Sequence, residues 1–216
     1  MAFSWTLDYY LPLFGLTLHQ GAWYLEIGAG KGRIQRLRGA HAARLILLDI
    51  SDLMLSQQSS QEGDAQTYRV QGSAFALPFP DCAMDGIFSF LGDSFNHVGY
   101  YAEVRRVLKQ GGQFLHVIPH CEWGEELRKL VRMPPDETFF LRGGIRITVP
   151  SILKSQDAIE RELRTLGFKR MSFRELRLPI DFPADSIPEH IALPSKSLNI
   201  SPQELRILLV VQAEKG

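Results

Sequence analysis

Two cysteines, Cys82 and Cys121, among 216 residues are too few for a disulfide framework or a four-ligand zinc cluster. They suit a reducing compartment. Acidic and basic residues balance at 24 each, so no long-range field draws the chain toward nucleic acid. No apolar run approaches the ~20 residues of a membrane span. The opening residues hold the acidic Asp8 and no basic cluster of the kind that begins a secretory signal. Internal repeats, low-complexity tracts and Gly/Ser linkers are also missing. Together these absences predict a cytoplasmic protein, monomer or homodimer, with no nucleic-acid and no membrane partner.

What is present is an ordinary globular composition, 45% hydrophobic and 22% charged. The length allows one α/β domain with a real core and is marginal for two. A single domain over residues 1–216 is the expectation, with a core at about 20–120 and a substrate-side insertion at about 122–150.

Short apolar runs alternate with segments of helical spacing. Residues 23–27 (WYLEI), 44–50 (RLILLDI), 66–71, 85–91 (DGIFSFL) and 113–118 (QFLHVI) read as buried strands. Residues 31–39 place Ile34 and Leu37 at helical spacing. Residues 52–61 read as a helix capped by Ser51 or Asp52, and residues 100–109 as one stopped by Gly111 and Gly112. Near-continuous apolar strands separated by helices signify a parallel sheet covered on both faces. Further on, residues 122–132 and 155–166 read as helices. Residues 138–149 read as a hairpin turning at Gly143-Gly144. Residues 169–176 give a sixth strand, 179–202 a proline-rich irregular stretch, and 205–213 (LRILLVVQA) a strongly apolar last strand.

Chemistry concentrates in the run Glu26-Ile27-Gly28-Ala29-Gly30-Lys31-Gly32. A strand feeds directly into a glycine turn, where the backbone can take positive φ and a ligand can approach without Cβ clashes. A dinucleotide fingerprint needs a third glycine three residues after the second. That position is Arg33, which argues against a nicotinamide or flavin oxidoreductase. Asp49 closes the second strand, 17 residues after Gly32, near the ~20 expected of a ribose-binding acid. A helix N-cap is its other reading. After the third strand comes Gln71-Gly72-Ser73-Ala74-Phe75-Ala76-Leu77-Pro78-Phe79-Pro80-Asp81. A fourth run, residues 102–115, reads AEVRRVLKQGGQFL.

In this order, the four runs resemble those of the class I S-adenosylmethionine (SAM)-dependent methyltransferases, over residues 23–118. The resemblance implies a doubly wound, Rossmann-like, seven-stranded, mostly parallel sheet with an antiparallel last strand. It implies SAM as cofactor and S-adenosylhomocysteine as product. Glu26, Gly28, Gly30 and Gly32 match the first motif, whose acid stands near the amino acid end of SAM. Asp49 matches the ribose acid. Ser73 and Ala74 match the adenine loop, where Ser73 replaces the usual aspartate acceptor. Phe90 is expected at the cofactor pocket wall. The fourth run is structural, with Gln110 where proline is common.

Ligands of open α/β sheets bind beyond the carboxyl ends of the strands. That places Asp93 and His97, after the fourth strand, as candidate general bases for an acceptor that arrives protonated. The competing reading has Asp93 or Ser94 capping a helix with His97 on its surface. His120 is a further candidate. His116, His120 and Cys121 offer three ligands without a fourth, so no metal is expected. The fourth strand ends Phe88-Ser89-Phe90-Leu91, not the Asn/Asp-Pro-Pro-Tyr pattern of amino methylation on bases. No Pro-Cys pair of the cytosine type occurs either. A small-molecule methyl acceptor follows as the expectation. The alternative is a non-catalytic protein of this fold that binds SAM or its product.

Overall fold

The computed structural model describes residues 2–56, 66–132, 136–140 and 146–216. Its centre is β1 (Trp23–Ile27), paired in parallel with β2 (Arg44–Asp49) on one side and β4 (Met84–Phe90) on the other. With β3 (Thr67–Gln71), β5 (Leu108–Pro119), β8 (Phe168–Leu176) and β9 (Leu208–Lys215), these strands form one sheet of order β3-β2-β1-β4-β5-β9-β8. Strand β9 is antiparallel to both β5 and β8. A separate antiparallel pair, β6 (Asp136–Phe140) and β7 (Arg146–Pro150), supplies the expected hairpin. Its Gly143-Gly144 turn lies outside the described residues.

The uninterrupted apolar strands follow from burial on both faces. Leu45, Leu47, Phe88, Leu115 and Val117 pack to one side, with Leu7 of α1 (Ala2–Tyr10) and Ile191 of α6 (Glu189–Ser197). Leu25, Ile27, Ile46, Leu48 and Ile87 pack to the other. They meet Tyr100, Tyr101 and Val104 of α3 (Val98–Val107) and Ile159 and Leu163 of α5 (Gln156–Thr165). Two further helices are α2 (Asp52–Ser56) and α4 (Cys121–Val131). Residues 57–61 of the expected second helix fall outside the described chain.

Three local expectations are corrected. No α-helix follows the glycine turn: residues 31–39 hold a single 3-10 turn, Ile34–Arg36. The chain then pairs backward, with the Leu18 amide donating to the Arg38 carbonyl at 2.8 Å. Gly39 sits at φ +84°, where a Cβ would come within 2.1 Å of the Leu18 carbonyl oxygen, so the reversal requires glycine. Second, α3 ends at Val107, not at the Gly111-Gly112 pair, because Leu108 already joins the ladder opposite Met84. Third, the proline-rich stretch contains α6, which carries Pro194 within it. The helix α1 was not anticipated from sequence.

Candidate functional site

The strand order reverses direction at the β1/β4 boundary, the position where open α/β sheets leave a crevice beyond the strand ends. A cleft of about 610 Å³ lies there. Its floor comes from the turns after the parallel strands: Gly28 and Gly30 after β1, Asp49 and Ile50 after β2, Ser73, Ala74 and Phe75 after β3, and Leu91, Ser94 and Phe95 after β4. Met54 of α2 and Thr148 and Pro150 of β7 complete the walls. The volume is within the 300–1,000 Å³ of small-molecule sites. Volume alone does not select it. A groove of about 560 Å³ beside Trp5, Phe182 and Pro188 is nearly as large but touches no strand end.

The glycine turn is built on Glu26. Its side chain is buried, and its two carboxylate oxygens accept from the Arg33 amide (3.1 Å) and the Ile34 amide (2.9 Å). Burial pushes the carboxyl up to about 7, against the opposing pull of those two hydrogen bonds and of Arg33 and Arg36. The Arg33 side chain in turn pairs with Asp8 of α1 at 3.2 Å. Glu26 therefore ties the turn together from beneath, and neither it nor Gly32 lines the cleft. Gly28, at φ +66°, faces the Phe95 ring so closely that a Cβ would stand 2.7 Å from it.

Asp49 holds the opposite wall. One carboxylate oxygen accepts from the Gly30 amide (3.0 Å) and the other from the Ser51 amide (2.9 Å), which links the ends of β1 and β2. Both oxygens keep lone pairs for a further donor. Ser73 Oγ accepts from the Phe75 amide at 3.2 Å, so the residue in the aspartate position shapes its own turn.

The loop after β3 is clamped by α3. Arg106 donates to the carbonyls of Phe79 (2.8 Å) and Leu77 (3.0 Å), and to Asp81 (2.9 Å) and Glu103 (2.8 Å). Glu103 in turn accepts from the Leu77 amide at 2.8 Å. The fork-shaped guanidinium suits this multiple anchoring. The third and fourth sequence runs are thus two halves of one device.

The other expected site residues divide. Phe90 is buried in the core, stacked on Phe88 with centroids 6.4 Å apart, and faces away from the cleft. His97 caps α3: its Nδ1 accepts from the Gly99 amide at 3.0 Å, and its ring packs edge-on toward Phe75. The cap was expected at Asp93 or Ser94, with His97 on the helix surface; His97 itself is the cap, and its ring does not line the cleft. Asp93 faces a second, adjoining pocket. There burial pushes its carboxyl up, while a hydrogen bond from Ser151 and the charge of Arg128 pull the other way. His116 is buried within β5, and burial holds its imidazole down at about 3. His120 caps α4 and lies 3.5 Å from Glu175. Among the described residues, no group of three or more His, Cys, Asp or Glu is placed to hold a metal ion. No described helix is long and apolar enough to cross a membrane.

Sequence reading missed Met54 as a wall residue; its signal is position, in the helix just past the strand that Asp49 closes.

A seven-stranded doubly wound sheet with an antiparallel penultimate strand, a glycine turn after β1 and an acid at the end of β2 defines the class I SAM-dependent methyltransferase fold. Residues 25–116 match the family model of the methyltransferase domain. Over 116 residues it is 29% identical to a sterol 24-C-methyltransferase of Gibberella zeae, across 50% of this chain and 30% of that protein. The chain thus spans about a third of the length of the curated relative it matches. Among solved structures, it superposes on a SAM-dependent methyltransferase of Mesorhizobium loti with a TM-score of 0.65 at 16% identity, covering 96% of this chain and 97% of that one. It superposes on Haemonchus contortus phosphoethanolamine N-methyltransferase 2, in complex with SAM, with a TM-score of 0.62 at 14% identity, over 99% of this chain and 56% of that one. These structural likenesses are of fold.

Proposed function

We propose that this protein transfers the methyl group of SAM to a small-molecule acceptor and releases S-adenosylhomocysteine. The observation that carries the reading is the convergence of Gly28, Gly30, Asp49, Ser73 and Ala74 on one cleft at the switch point of the sheet. In this reading Asp49 accepts from the ribose hydroxyls. The loop at Ser73 and Ala74 flanks the adenine, and Gly28 lets the amino acid end pass close to the backbone. Glu26 acts through the turn it braces, since its side chain is buried and does not line the cleft. Methyl transfer from a sulfonium is an in-line displacement, so what remains for the protein is to hold the acceptor atom ~3–3.5 Å from the methyl carbon.

Calorimetric titration with SAM, S-adenosylhomocysteine and NADH tests this. Saturable binding of both sulfur compounds and none of NADH is expected, followed by methyl transfer in an acceptor screen. Asp49→Ala should weaken SAM binding ten- to a hundredfold, since a hydrogen bond to a charged group contributes about 1.5–3 kcal/mol. Unchanged affinity in that variant would remove the ribose assignment. Binding without transfer to any acceptor class would favour the non-catalytic reading.

A further inference from the structure

A second pocket adjoins the cofactor cleft, and the two share one lining residue. It measures about 200 Å³, and Leu91 lines both spaces. Leu91 follows β4 directly and sits at φ +60°, a conformation that a side chain with a Cβ rarely adopts. It is held there because its amide (2.8 Å) and that of Gly92 (3.2 Å) both donate to the Val117 carbonyl. Backbone strain of this kind gathers where a ligand-binding geometry is being imposed.

The pocket is apolar but for one corner. Phe3 meets Trp123 edge to face, with centroids 4.6 Å apart, and Leu127 and Leu153 close the sides. In the polar corner, Arg128 donates to the Ser151 carbonyl, and Asp93 lines the same pocket. Asp93 and Arg128 bring opposite charges to the same corner, which is therefore close to neutral as a whole.

We propose that this pocket holds the methyl acceptor and selects a neutral, ring-sized compound bearing a hydroxyl, with Asp93 as the acceptor of the hydroxyl proton. The inference rests on the methyltransferase reading above and names its substrate class. Size sets the first limit: a cavity of ~150 Å³ holds one benzene ring, so this one takes a single ring with small substituents. Charge sets the second. An anion meets Asp93 and a cation meets Arg128, whereas a neutral hydroxyl can donate to the carboxylate. In the reaction, the hydroxyl oxygen forms its bond to the methyl carbon as its proton moves to Asp93. The carbon–sulfur bond breaks with its electron pair remaining on sulfur, so the sulfonium departs as a neutral thioether. The proton on Asp93 is lost to solvent after product release.

The probes are phenol, benzoate and benzylamine, titrated into the whole chain with and without S-adenosylhomocysteine, read by calorimetry and tryptophan fluorescence. Phenol should bind saturably, and benzoate and benzylamine at least tenfold more weakly. Leu153→Trp, which fills the pocket, should weaken phenol at least tenfold and leave S-adenosylhomocysteine within twofold. Asp93→Asn removes the negative charge from the corner, so benzoate should now bind better than phenol. Tighter binding of either charged probe to the unaltered protein, or phenol binding indifferent to Leu153→Trp, overturns the proposal. So does absence of phenol binding in a protein that still binds S-adenosylhomocysteine. Failure to bind S-adenosylhomocysteine itself overturns the reading beneath it.

Discussion

The two pockets are built in opposite ways. The cofactor cleft takes its floor from four turns, each immediately after a parallel strand. Its key geometry is made by backbone groups: the Gly30 and Ser51 amides on Asp49, and the Arg33 and Ile34 amides on Glu26. The adjoining pocket draws Phe3, Asp93, Trp123, Arg128 and Leu153 from well-separated parts of the chain, and side chains form it. A backbone-built site needs glycines and acids at fixed offsets from strand ends. A side-chain-built site needs only shape and charge, which many sequences supply. The first kind is constrained by the fold, and the second is free to change with the acceptor.

The contrast extends to buried charge, and there it can be tested with the largest expected effect. On the cofactor half, Glu26 and His116 are both fully buried and titrate far from their ordinary ranges in opposite senses. Beyond β5, Arg206 pairs with Glu122 and Glu175 in partly exposed contacts, and pairs of that kind contribute little. Glu26 titrates near 7 when folded and near 4.5 when unfolded. Between those values the folded state binds more protons, so its contribution to stability falls as pH rises. His116 titrates near 3 when folded and near 6.5 when unfolded. In that window the unfolded state binds more protons, so its contribution falls as pH drops. The two slopes oppose each other between about pH 4.5 and 6.5, each worth on the order of 3 kcal/mol across it. Urea unfolding from pH 4.5 to 7 should be nearly flat for the unaltered protein. Glu26→Gln should steepen the acid-side loss, and His116→Phe should make stability fall as pH rises. If both variants keep the flat profile, these groups do not govern the pH dependence and the contrast between the halves fails.

The same contrast explains what the sequence disclosed. Residues 23–27 and 44–49 read as strands because burial on both faces keeps most of their positions apolar. Asp49, Gly28 and Gly30 were legible because their spacing from those strands is itself the signal. The helix expected at residues 31–39 was not there. Two apolar positions satisfy a helical period, but they cannot show that Gly39 turns the chain back onto residues 17–18. Glu26 was assigned to the ligand because an acid in a motif does not reveal which donors reach it first. Here two amides of its own turn do. His97 and Phe90 do not line the cleft for a related reason: composition at a strand end does not give side-chain direction, and one caps a helix while the other is buried in the core. The helix α1, whose Phe3 helps form the second pocket, carried no motif at all.

A smaller effect is expected where a side chain serves a backbone-built site from outside. Arg106 bonds two loop carbonyls and two carboxylates, but it is about a third exposed, so solvent screens part of the gain. Arg106→Ala should lower stability by about 1–2 kcal/mol. It should also weaken SAM several-fold by loosening residues 77–81, as read by urea midpoint and calorimetry. Arg106→Lys should lose nearly as much, because an ammonium cannot reproduce the fork. Full rescue by lysine would reduce the clamp to a simple charge contact.

The smallest effect lies at Ser73, where this chain departs from the adenine-loop motif it resembles. Ser73 spends its hydroxyl oxygen on the Phe75 amide. An aspartate there can make the same turn with one oxygen and present the other to the cleft. If the loop flanks the adenine, Ser73→Asp adds one hydrogen bond to the exocyclic amino group. A typical net contribution of about 1 kcal/mol corresponds to roughly fivefold tighter S-adenosylhomocysteine binding. The control is the same ligand with hypoxanthine in place of adenine, which presents a carbonyl where the amino group was. The aspartate should repel that analogue, so the two affinities should move in opposite directions. Equal shifts for both would mean that the substitution acts through the loop or through net charge, and that the base lies elsewhere in the cleft.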